Sequence, residues 1–419
     1  MAKLLITGGI PLGGEVTVSG YKNSAGALLA GVLLSEEPSI IDNIPLVTDV
    51  LNQIKVIEAM GGQVEWLEKR KIKINPANVD PAKIPAELFE KMRVSVLFMG
   101  SLLARFKKVR VPSPGGDKIG LRPITTHIEA FKKFGIKVIQ ENGIYVLEAP
   151  EKIQPKRIAL KEFSVTATEN IMMLAALSEG KTTIEIAAAE PQVQDLGELL
   201  RKMGAKVNGL GTHTITIVGK KKLNGAEHSV CPDLLEAGTF MIALAITGGS
   251  GIVKGADPRH LTFFLEKMKD IGVKFSIQKG DIHVFKTTKF YPTRIQALPY
   301  PGFPTDLQPQ ISILLTQCEG KSLIHEPLYE NRFNHLHELR KMGADIEITD
   351  PHRALIFGKT KLTANRIKAP DIRSGATLII AGLIADGKTM IDDISQIERG
   401  YENIDEKFRK LGAQIEKTD

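Results

Sequence analysis

A short pattern recurs six times along this chain of 419 residues: an amphipathic helix ends on a glycine and continues into an alternating strand. The glycines that end the six helices lie 74, 69, 68, 71 and 69 residues apart and are Gly61, Gly135, Gly204, Gly272, Gly343 and Gly412. A near-constant period of this length indicates a fold assembled from repeated supersecondary units. Glycine also suits the left-handed conformation that ends many helices. A segment that occurs in only one repeat is therefore the best place to look for chemistry.

Each repeat also contains a second helix, which is rich in small apolar residues, as in SAGALLAGVLL and TATENIMMLAAL. These helices are apolar nearly all round, which predicts that they are buried. The glycine-ended helices are apolar on one side only, as the spacing of Leu196, Leu199, Leu200 and Met203 shows. Strands such as ADIEI alternate and should keep one face in water. We therefore predict an inside-out α/β fold, in which sheets surround buried helices.

The sixth repeat is short, and the first 21 residues contain two strands that would complete it. This predicts two domains of three repeats, each repeat being about 70 residues long. The first domain would span residues 22–230, and the second would combine residues 1–21 with 231–419. The chain would then cross between the domains twice, near Lys22 and near Cys231, which predicts a hinge and a cleft.

Composition excludes several classes of protein. The net charge of +7 comes from 55 basic and 48 acidic residues that are scattered along the chain, whereas nucleic-acid binding usually needs a basic stripe or patch. No apolar run is long enough for a membrane span, and no secretory signal is evident. The two cysteines form no CxxC motif and the nine histidines show no metal-ligand spacing. A cytoplasmic protein without a metal is the expectation.

Polar residues gather at one structural position, where each strand enters its buried helix. The residues at these turns are Lys22, Asn23, Arg93, Ser164, Thr166, Asp233, Glu236, Thr305, Asp306 and Arg373. Helix N-termini carry unpaired N–H groups and partial positive charge, so several of them together predict an anion site. The alternative is that the Ser, Thr, Asp and Asn side chains are ordinary N-caps. That alternative suits Lys22 and Arg93 poorly, because a cation opposes the helix dipole.

Residues 112–128, PSPGGDKIGLRPITTHI, occur in the second repeat only. Paired glycines and three prolines predict a mobile surface loop that is neither helix nor strand. Asp117 and Arg122 lie within it and could be an incidental ion pair on a solvated loop. The presence of this loop in only one of six repeats favours a functional role.

Several motifs resemble the enolpyruvyl transferase family, and the resemblance covers the whole chain. They are GEVTVSGYKNS, PGGDKIGLRPITTHI, GFPTDLQPQ, ENRFNHLHELRKMGA and IERGYENIDEKFRKLGA. The loop together with GFPTD is similar to the branch that acts on UDP-N-acetylglucosamine in peptidoglycan precursor synthesis. The resemblance implies two inside-out α/β barrels of three repeats each. It also implies transfer of the enolpyruvyl group of phosphoenolpyruvate to the 3′-hydroxyl of the UDP-sugar, with release of phosphate and with no cofactor or metal.

The resemblance assigns roles to individual residues. Asp117 stands at the position of the general acid, and Asp306 would accept the hydroxyl proton. Phosphoenolpyruvate would be held by Lys22, Arg122 and Arg399, aided by Asn23 and Arg373. The UDP-sugar would contact Arg93, Arg122, Pro123, Ile124, Thr125, Thr126, Ser164, Val165 and Leu328, while Arg332 would line the cleft.

The chain departs from the family at three places. Most members carry cysteine at the acid position, and the antibiotic fosfomycin acts by alkylating that cysteine, so Asp117 predicts resistance. Glu162 stands where a lysine is common and is left out of the predicted site. Tyr21 and Thr166 replace smaller residues beside functional ones.

Other classes of function stay open from the sequence. The 5-enolpyruvylshikimate-3-phosphate synthase branch lacks the loop of residues 112–128, which makes it the weaker reading. A ring-shaped DNA clamp is also built of α/β repeats, but its basic residues would follow the symmetry of the ring and would need no singular loop. An inactive, non-catalytic binding homologue is the remaining alternative.

Overall fold

The computed structural model describes residues 2–117 and 119–418, and the chain divides into two compact units. The first unit consists of Gly20–Gly116 and Arg122–Cys231. The second consists of Met1–Ser19, Asp117–Leu121 and Pro232–Asp419. The tip of the singular loop thus groups with the second unit, although the sequence boundaries assigned all of residues 112–128 to the first domain.

The described residues form 23 strands and 14 α-helices. The strands are β1 (Lys3–Thr7), β2 (Gly13–Thr17), β3 (Ser39–Asp42), β4 (Gln63–Glu68), β5 (Lys71–Asn75), β6 (Lys108–Pro112), β7 (Lys137–Glu141), β8 (Ile144–Glu148), β9 (Arg157–Ala159), β10 (Gly180–Glu185), β11 (Lys206–Asn208), β12 (Thr214–Gly219), β13 (Glu227–Ser229), β14 (Ser250–Lys254), β15 (Phe275–Gln278), β16 (Asp281–Val284), β17 (Arg294–Gln296), β18 (Gly320–His325), β19 (Asp345–Asp350), β20 (Arg353–Gly358), β21 (Arg366–Lys368), β22 (Lys388–Asp392) and β23 (Gln414–Thr418). The helices are α1 (Lys22–Gly31), α2 (Thr48–Ala59), α3 (Ala86–Phe89), α4 (Phe98–Phe106), α5 (Thr125–Lys133), α6 (Val165–Ala176), α7 (Pro191–Lys202), α8 (Leu234–Ile246), α9 (Thr262–Ile271), α10 (Gln308–Leu315), α11 (Asn334–Lys341), α12 (Ile372–Ile384), α13 (Ser395–Glu398) and α14 (Ile404–Lys410). No helix in this described part is long and apolar enough to cross a membrane.

Across the described ranges the strands form six sheets, three in each unit. Those of the first unit have the strand orders β13-β3-β5-β4, β6-β8-β7 and β11-β12-β10-β9. Those of the second unit have the orders β15-β16-β14-β2, β17-β18-β20-β19 and β21-β22-β1-β23. Each sheet contains antiparallel strand pairs, and in the four-stranded sheets a further strand pairs in parallel, as β9 does with β10. The N-terminal strands join the second unit, since β1 pairs with β22 and β23 and β2 pairs with β14.

The two kinds of helix predicted from the sequence are both present. The small-residue helices α1, α4, α6, α8, α10 and α12 are buried along nearly their whole length, and every residue of α8 is buried. The glycine-ended helices bury one side, as Leu196, Leu199 and Leu200 of α7 and Met203 at its C-cap show. All six repeat glycines have positive φ, between 80° and 109°, as a helix-ending left-handed residue requires. The prediction of buried helices inside an α/β fold is therefore confirmed.

The prediction that residues 112–128 contain neither helix nor strand is wrong at both ends. Pro112 is the last residue of β6, and α5 already begins at Thr125. The apolar period of IEAFKKF extends backwards, because Thr126 and His127 are buried on the same helix. Pro123 lies just before the helix, where its fixed φ is compatible with a helix start.

The side chain of Asn170 joins two buried helices of the first unit by hydrogen bonds. Its side-chain oxygen accepts a hydrogen bond from the Gly100 N–H at 2.6 Å, and its amide nitrogen donates to the carbonyls of Val96 and Thr166 at 3.1 and 2.9 Å. We expect Asn170→Ala to lower the free energy of unfolding by about 3 kcal/mol, because buried polar groups lose their partner. Urea titration measures this effect. The exposed Asn208→Ala is the matched control and should change it by under about 0.5 kcal/mol.

Candidate active site

Lys22 begins α1, as predicted, and its ammonium group is already paired. Its Nζ lies 2.7 Å from Oδ2 of Asp49, and the two side chains are only 12% and 6% exposed. The carboxylate offsets a cation that would otherwise oppose the positive end of the helix. Beside it, the Asn23 amide donates to the Tyr21 hydroxyl at 3.1 Å. Sequence reasoning missed Asp49, because an acidic residue in the first turn of α2 is also what a helix dipole favours.

Arg93 lies at the start of the short helix that precedes α4, as the repeat predicted. One of its guanidinium nitrogens donates to the carbonyl oxygen of Pro123 at 3.2 Å. This bond joins two stretches that were predicted to contact the UDP-sugar. Arg122 is half-buried immediately before this proline. The first unit thus brings two guanidinium-bearing residues to one neighbourhood, which is the chemistry that phosphate groups need.

Side-chain hydrogen bonds join the first turn of α5 to the first turn of α6 and the residues just before it. Thr126 donates to Oε1 of Glu162 at 2.6 Å, and His127 Nε2 bonds with the Thr166 hydroxyl at 2.8 Å. Ser164 is the N-cap of α6, where its hydroxyl accepts from the Ala167 N–H at 3.4 Å. Ser164 is therefore an N-cap, as the alternative interpretation of the sequence predicted. Glu162, which the sequence left outside the site, binds directly to one of the predicted residues.

The buried His127 makes folding of the first unit sensitive to pH. Burial, together with the charge of Arg93, lowers the pKa of His127 to about 3. An unfolded histidine titrates near pH 6.5, so between these values the unfolded state binds a proton that the folded state excludes. The stabilisation is complete above about pH 6.5 and is lost as pH falls, at about 1.4 kcal/mol per pH unit.

Between about pH 7 and about pH 5 the wild-type protein should therefore lose about 2 kcal/mol more unfolding free energy than His127→Gln. Urea titrations at the two pH values measure both losses. Glutamine preserves a group that can bond with Thr166, so the comparison isolates the proton. Equal losses in the two proteins would contradict the assignment.

In the second unit, Asp306 lies between two arginines. Its Oδ1 accepts a short hydrogen bond from Arg332, and its Oδ2 accepts from Nε of Arg373 at 3.2 Å. The side chains of Arg332 and Arg373 are 2% and 4% exposed, whereas that of Asp306 is 27% exposed. Arg332 also donates to the carbonyl of Thr305 at 3.2 Å. Two buried cations thus hold an accessible carboxylate in one orientation, which meets the geometric requirement of a general base.

Asp117 forms an ion pair with Arg399, as Nη1 of the arginine donates to Oδ1 at 2.5 Å. The same Nη1 donates to Gln396 at 2.9 Å. The Asn331 N–H donates to the carbonyl of Ile119 at 3.1 Å, which holds the loop tip a second time. The sequence predicted Asp117 as acid and Arg399 as a substrate-binding cation, and in the structure each is the partner of the other. Position 118 of this loop lies outside the described residues.

Two other acids at a predicted helix start have a structural role. Asp233 caps α8 by accepting from the N–H groups of Leu235 and Glu236. Burial, and then the proximity of Glu236, raises the pKa of Asp233 to about 7. Glu236 is buried and pairs with Lys407 at 2.6 Å. Within the described ranges, no group of three or more His, Cys, Asp or Glu side chains could hold a metal ion.

Comparisons with known proteins identify the family of the chain. A sequence profile of the family described as EPSP synthase (3-phosphoshikimate 1-carboxyvinyltransferase) matches residues 6–408. A relative from Halothermothrix orenii, named UDP-N-acetylglucosamine 1-carboxyvinyltransferase, is 45% identical over 418 residues and covers all of both chains. The chain belongs to the enolpyruvyl transferase family. A relative of the same name from Koribacter versatilis is 43% identical over all of this chain and 96% of its own length.

The fold of this enolpyruvyl transferase is similar to that of two proteins of known structure. The enolpyruvyl transferase NikO from Streptomyces tendae superposes with a TM-score of 0.90 at 23% identity, covering 100% and 99% of the two chains. An EPSP synthase from Acinetobacter baumannii gives a TM-score of 0.79 at 19% identity over the whole of both chains. These likenesses show the α/β fold. The sequence identity to the relatives from Halothermothrix orenii and Koribacter versatilis is about twice the identity to these two solved structures.

Proposed function

We propose that this enolpyruvyl transferase acts on UDP-N-acetylglucosamine and phosphoenolpyruvate, in the synthesis of peptidoglycan precursors. The observation that carries the proposal is the GFPTD turn, in which Asp306 is held by two buried arginines and keeps an accessible carboxylate. The names of the relatives at 43% and 45% identity support the choice of sugar nucleotide. The loop that carries Asp117 supports it as well, because the resemblance assigns that loop to the UDP-sugar branch.

The proposed reaction is an addition followed by an elimination. Asp306 accepts the proton of the sugar 3′-hydroxyl as that oxygen bonds to C2 of phosphoenolpyruvate. The electrons of the C2–C3 double bond take a proton from Asp117, which gives a tetrahedral intermediate. Asp117 must carry a proton for this step, so it must first give up the ion pair with Arg399. C3 then returns a proton to the carboxylate of Asp117, the double bond re-forms, and the C2–O bond to phosphate breaks. Arg332 and Arg373 fix the base during the first step, since both bond to its carboxylate.

Cations are proposed to bind the anionic substrates. Lys22, Arg122 and Arg399 would take phosphoenolpyruvate, aided by Asn23 and Arg373. In this structure Asp49 forms an ion pair with Lys22, and Asp117 forms one with Arg399. Substrate anions would therefore share these cations with the two carboxylates or displace the carboxylates from them. The UDP-sugar would bind at Arg93, Arg122, Pro123, Ile124, Thr125, Thr126, Ser164, Val165 and Leu328, and the bond from Arg93 to Pro123 orients part of this set.

We also propose that each unit is an inside-out α/β barrel. Three buried helices and three sheets in each unit support two inside-out α/β barrels of three repeats. The predicted domain boundaries, residues 22–230 and residues 1–21 with 231–419, stay a proposal beside the two observed units. A cytoplasmic location and the absence of nucleic-acid and membrane partners also stay predictions.

A coupled phosphate-release assay tests the function. The purified protein should release phosphate only when phosphoenolpyruvate and UDP-N-acetylglucosamine are both present, and mass spectrometry should detect the enolpyruvyl sugar nucleotide. Release with shikimate-3-phosphate in place of the UDP-sugar would instead support the EPSP synthase branch. No release with either acceptor would contradict both and would favour a non-catalytic homologue.

A further inference from the structure

A fully buried carboxyl group, that of Glu326, lies beside the proposed base and has no part in the mechanism described above. Its Oε2 accepts from the Thr305 hydroxyl at 2.8 Å, and its Oε1 accepts from the Leu328 N–H at 3.1 Å. Its own backbone N–H donates to the carbonyl of His352 at 2.7 Å, so the residue is fixed at both ends. Thr305 is the residue immediately before Asp306, which places Glu326 one side chain away from the base.

The protonation state of Glu326 changes the balance of charge around Asp306. Burial raises the pKa of Glu326, and the negative charge of Asp306 adds to the effect, while the Thr305 hydroxyl and Arg332 oppose it. Burial lowers the pKa of the Arg332 guanidinium, but the charges of three carboxyl groups raise it above its ordinary value. The titratable and charged side chains that face Glu326, Asp306 and Arg332 from the neighbouring segments include Tyr329, His335, His352, Asp371 and Arg373. Nδ1 of His352 lies 2.7 Å from the carbonyl oxygen of Glu326. Two guanidinium groups therefore act on Asp306, and a charged Glu326 offsets them.

Resting on the proposed function, we propose that Glu326 is a positioning residue for the base Asp306. Through Thr305 it fixes the turn that carries the base, and its negative charge maintains the basicity of Asp306 against Arg332 and Arg373. A base held by two cations alone would hold a proton weakly. A second carboxylate at short range strengthens proton uptake.

Glu326→Gln separates shape from charge. The amide oxygen can still accept from the Leu328 N–H, and the amide nitrogen can donate to the Thr305 hydroxyl, as a protonated glutamate would. The variant is therefore a copy of the neutral state of Glu326. Where the wild-type residue is also neutral, at low pH, the two proteins should have equal kcat/KM. Where the wild-type residue is charged, at high pH, the wild-type protein should be faster by about tenfold.

The measurement is the ratio of wild-type to variant kcat/KM in the phosphate-release assay, taken across the whole pH range in which both proteins stay folded. We expect this ratio to rise with pH from about one to about ten. Thr305→Ser, which keeps the hydroxyl, should follow the wild-type profile, and Thr305→Val should lose activity. Glu338→Gln is the matched control: Glu338 is a largely buried acid on α11 that pairs with Lys341, outside this cluster. It should leave the ratio at one.

Thermal unfolding of each variant at both ends of the pH range establishes that the folded proteins are being compared. A loss of activity in Glu326→Gln that is the same at every pH would show a structural role only and would overturn the proposal, as would no loss. A wild-type protein that releases no phosphate would overturn the proposed function together with this proposal. An active wild type with a flat ratio would overturn the assignment of Glu326 alone.

Discussion

Asp306→Asn is expected to lower kcat for phosphate release by about 10³-fold, because an amide cannot accept the proton of the sugar hydroxyl. The substitution has a second effect in this structure. Both carboxylate oxygens accept hydrogen bonds from buried arginines, so the amide nitrogen would face a guanidinium donor and the side chain would turn. Steady-state rates with both substrates measure the loss, and calorimetric titration with UDP-N-acetylglucosamine shows whether binding survives.

Asp350→Asn is the matched control for that result. Asp350 lies on the same unit at the end of β19, where it pairs with Arg353 on the surface. Its loss should change kcat by less than about twofold. Near-normal phosphate release from Asp306→Asn, with the control behaving as described, would mean that another group takes the hydroxyl proton.

Repetition made much of this fold predictable. A glycine with positive φ can be recognised from one sequence because it recurs six times at the same place, from Gly61 to Gly412. The buried helices follow from apolar residues on all sides, as in α8, whose thirteen residues are all buried. The position of Lys22 and Arg93 at helix starts follows from the same repeat, because a turn between strand and helix fixes it locally.

The partners of the site residues could not be predicted in the same way. Arg399 and its partner Asp117 are 282 residues apart, and Arg373 and Asp306 are 67 residues apart. Such pairs depend on how separate helices pack, and the period of the sequence does not contain that information. Glu326 was missed for the same reason, since it is a lone acid whose partner lies on another element. The start of α5 was missed because proline and glycine dominate the segment before it.

Asp117→Asn is expected to lower kcat by about 10³-fold, because asparagine has no acidic proton to give to C3 of phosphoenolpyruvate. The same position should decide sensitivity to fosfomycin, which opens its epoxide on a thiolate. The wild-type protein should therefore keep its activity in the presence of the drug. Asp117→Cys should remain active and become inhibited, with one covalent adduct on the peptide that contains residue 117. The alkaline limb of its pH profile should also move upward, because a thiol ordinarily keeps its proton to higher pH than a carboxyl group.

The other thiols of the chain provide the internal control. Cys318 is buried, and burial raises the pKa of its thiol to about 12, so it has almost no thiolate with which to react. Cys231 is half-buried, and its N–H bonds to the buried Asp195. Mass spectrometry distinguishes these positions from residue 117. Inactivation of the wild-type protein in step with labelling at Cys231 would refute the predicted resistance. Normal turnover by Asp117→Asn would show that the proton reaching C3 comes from elsewhere, and the ion pair with Arg399 would then have no role in catalysis.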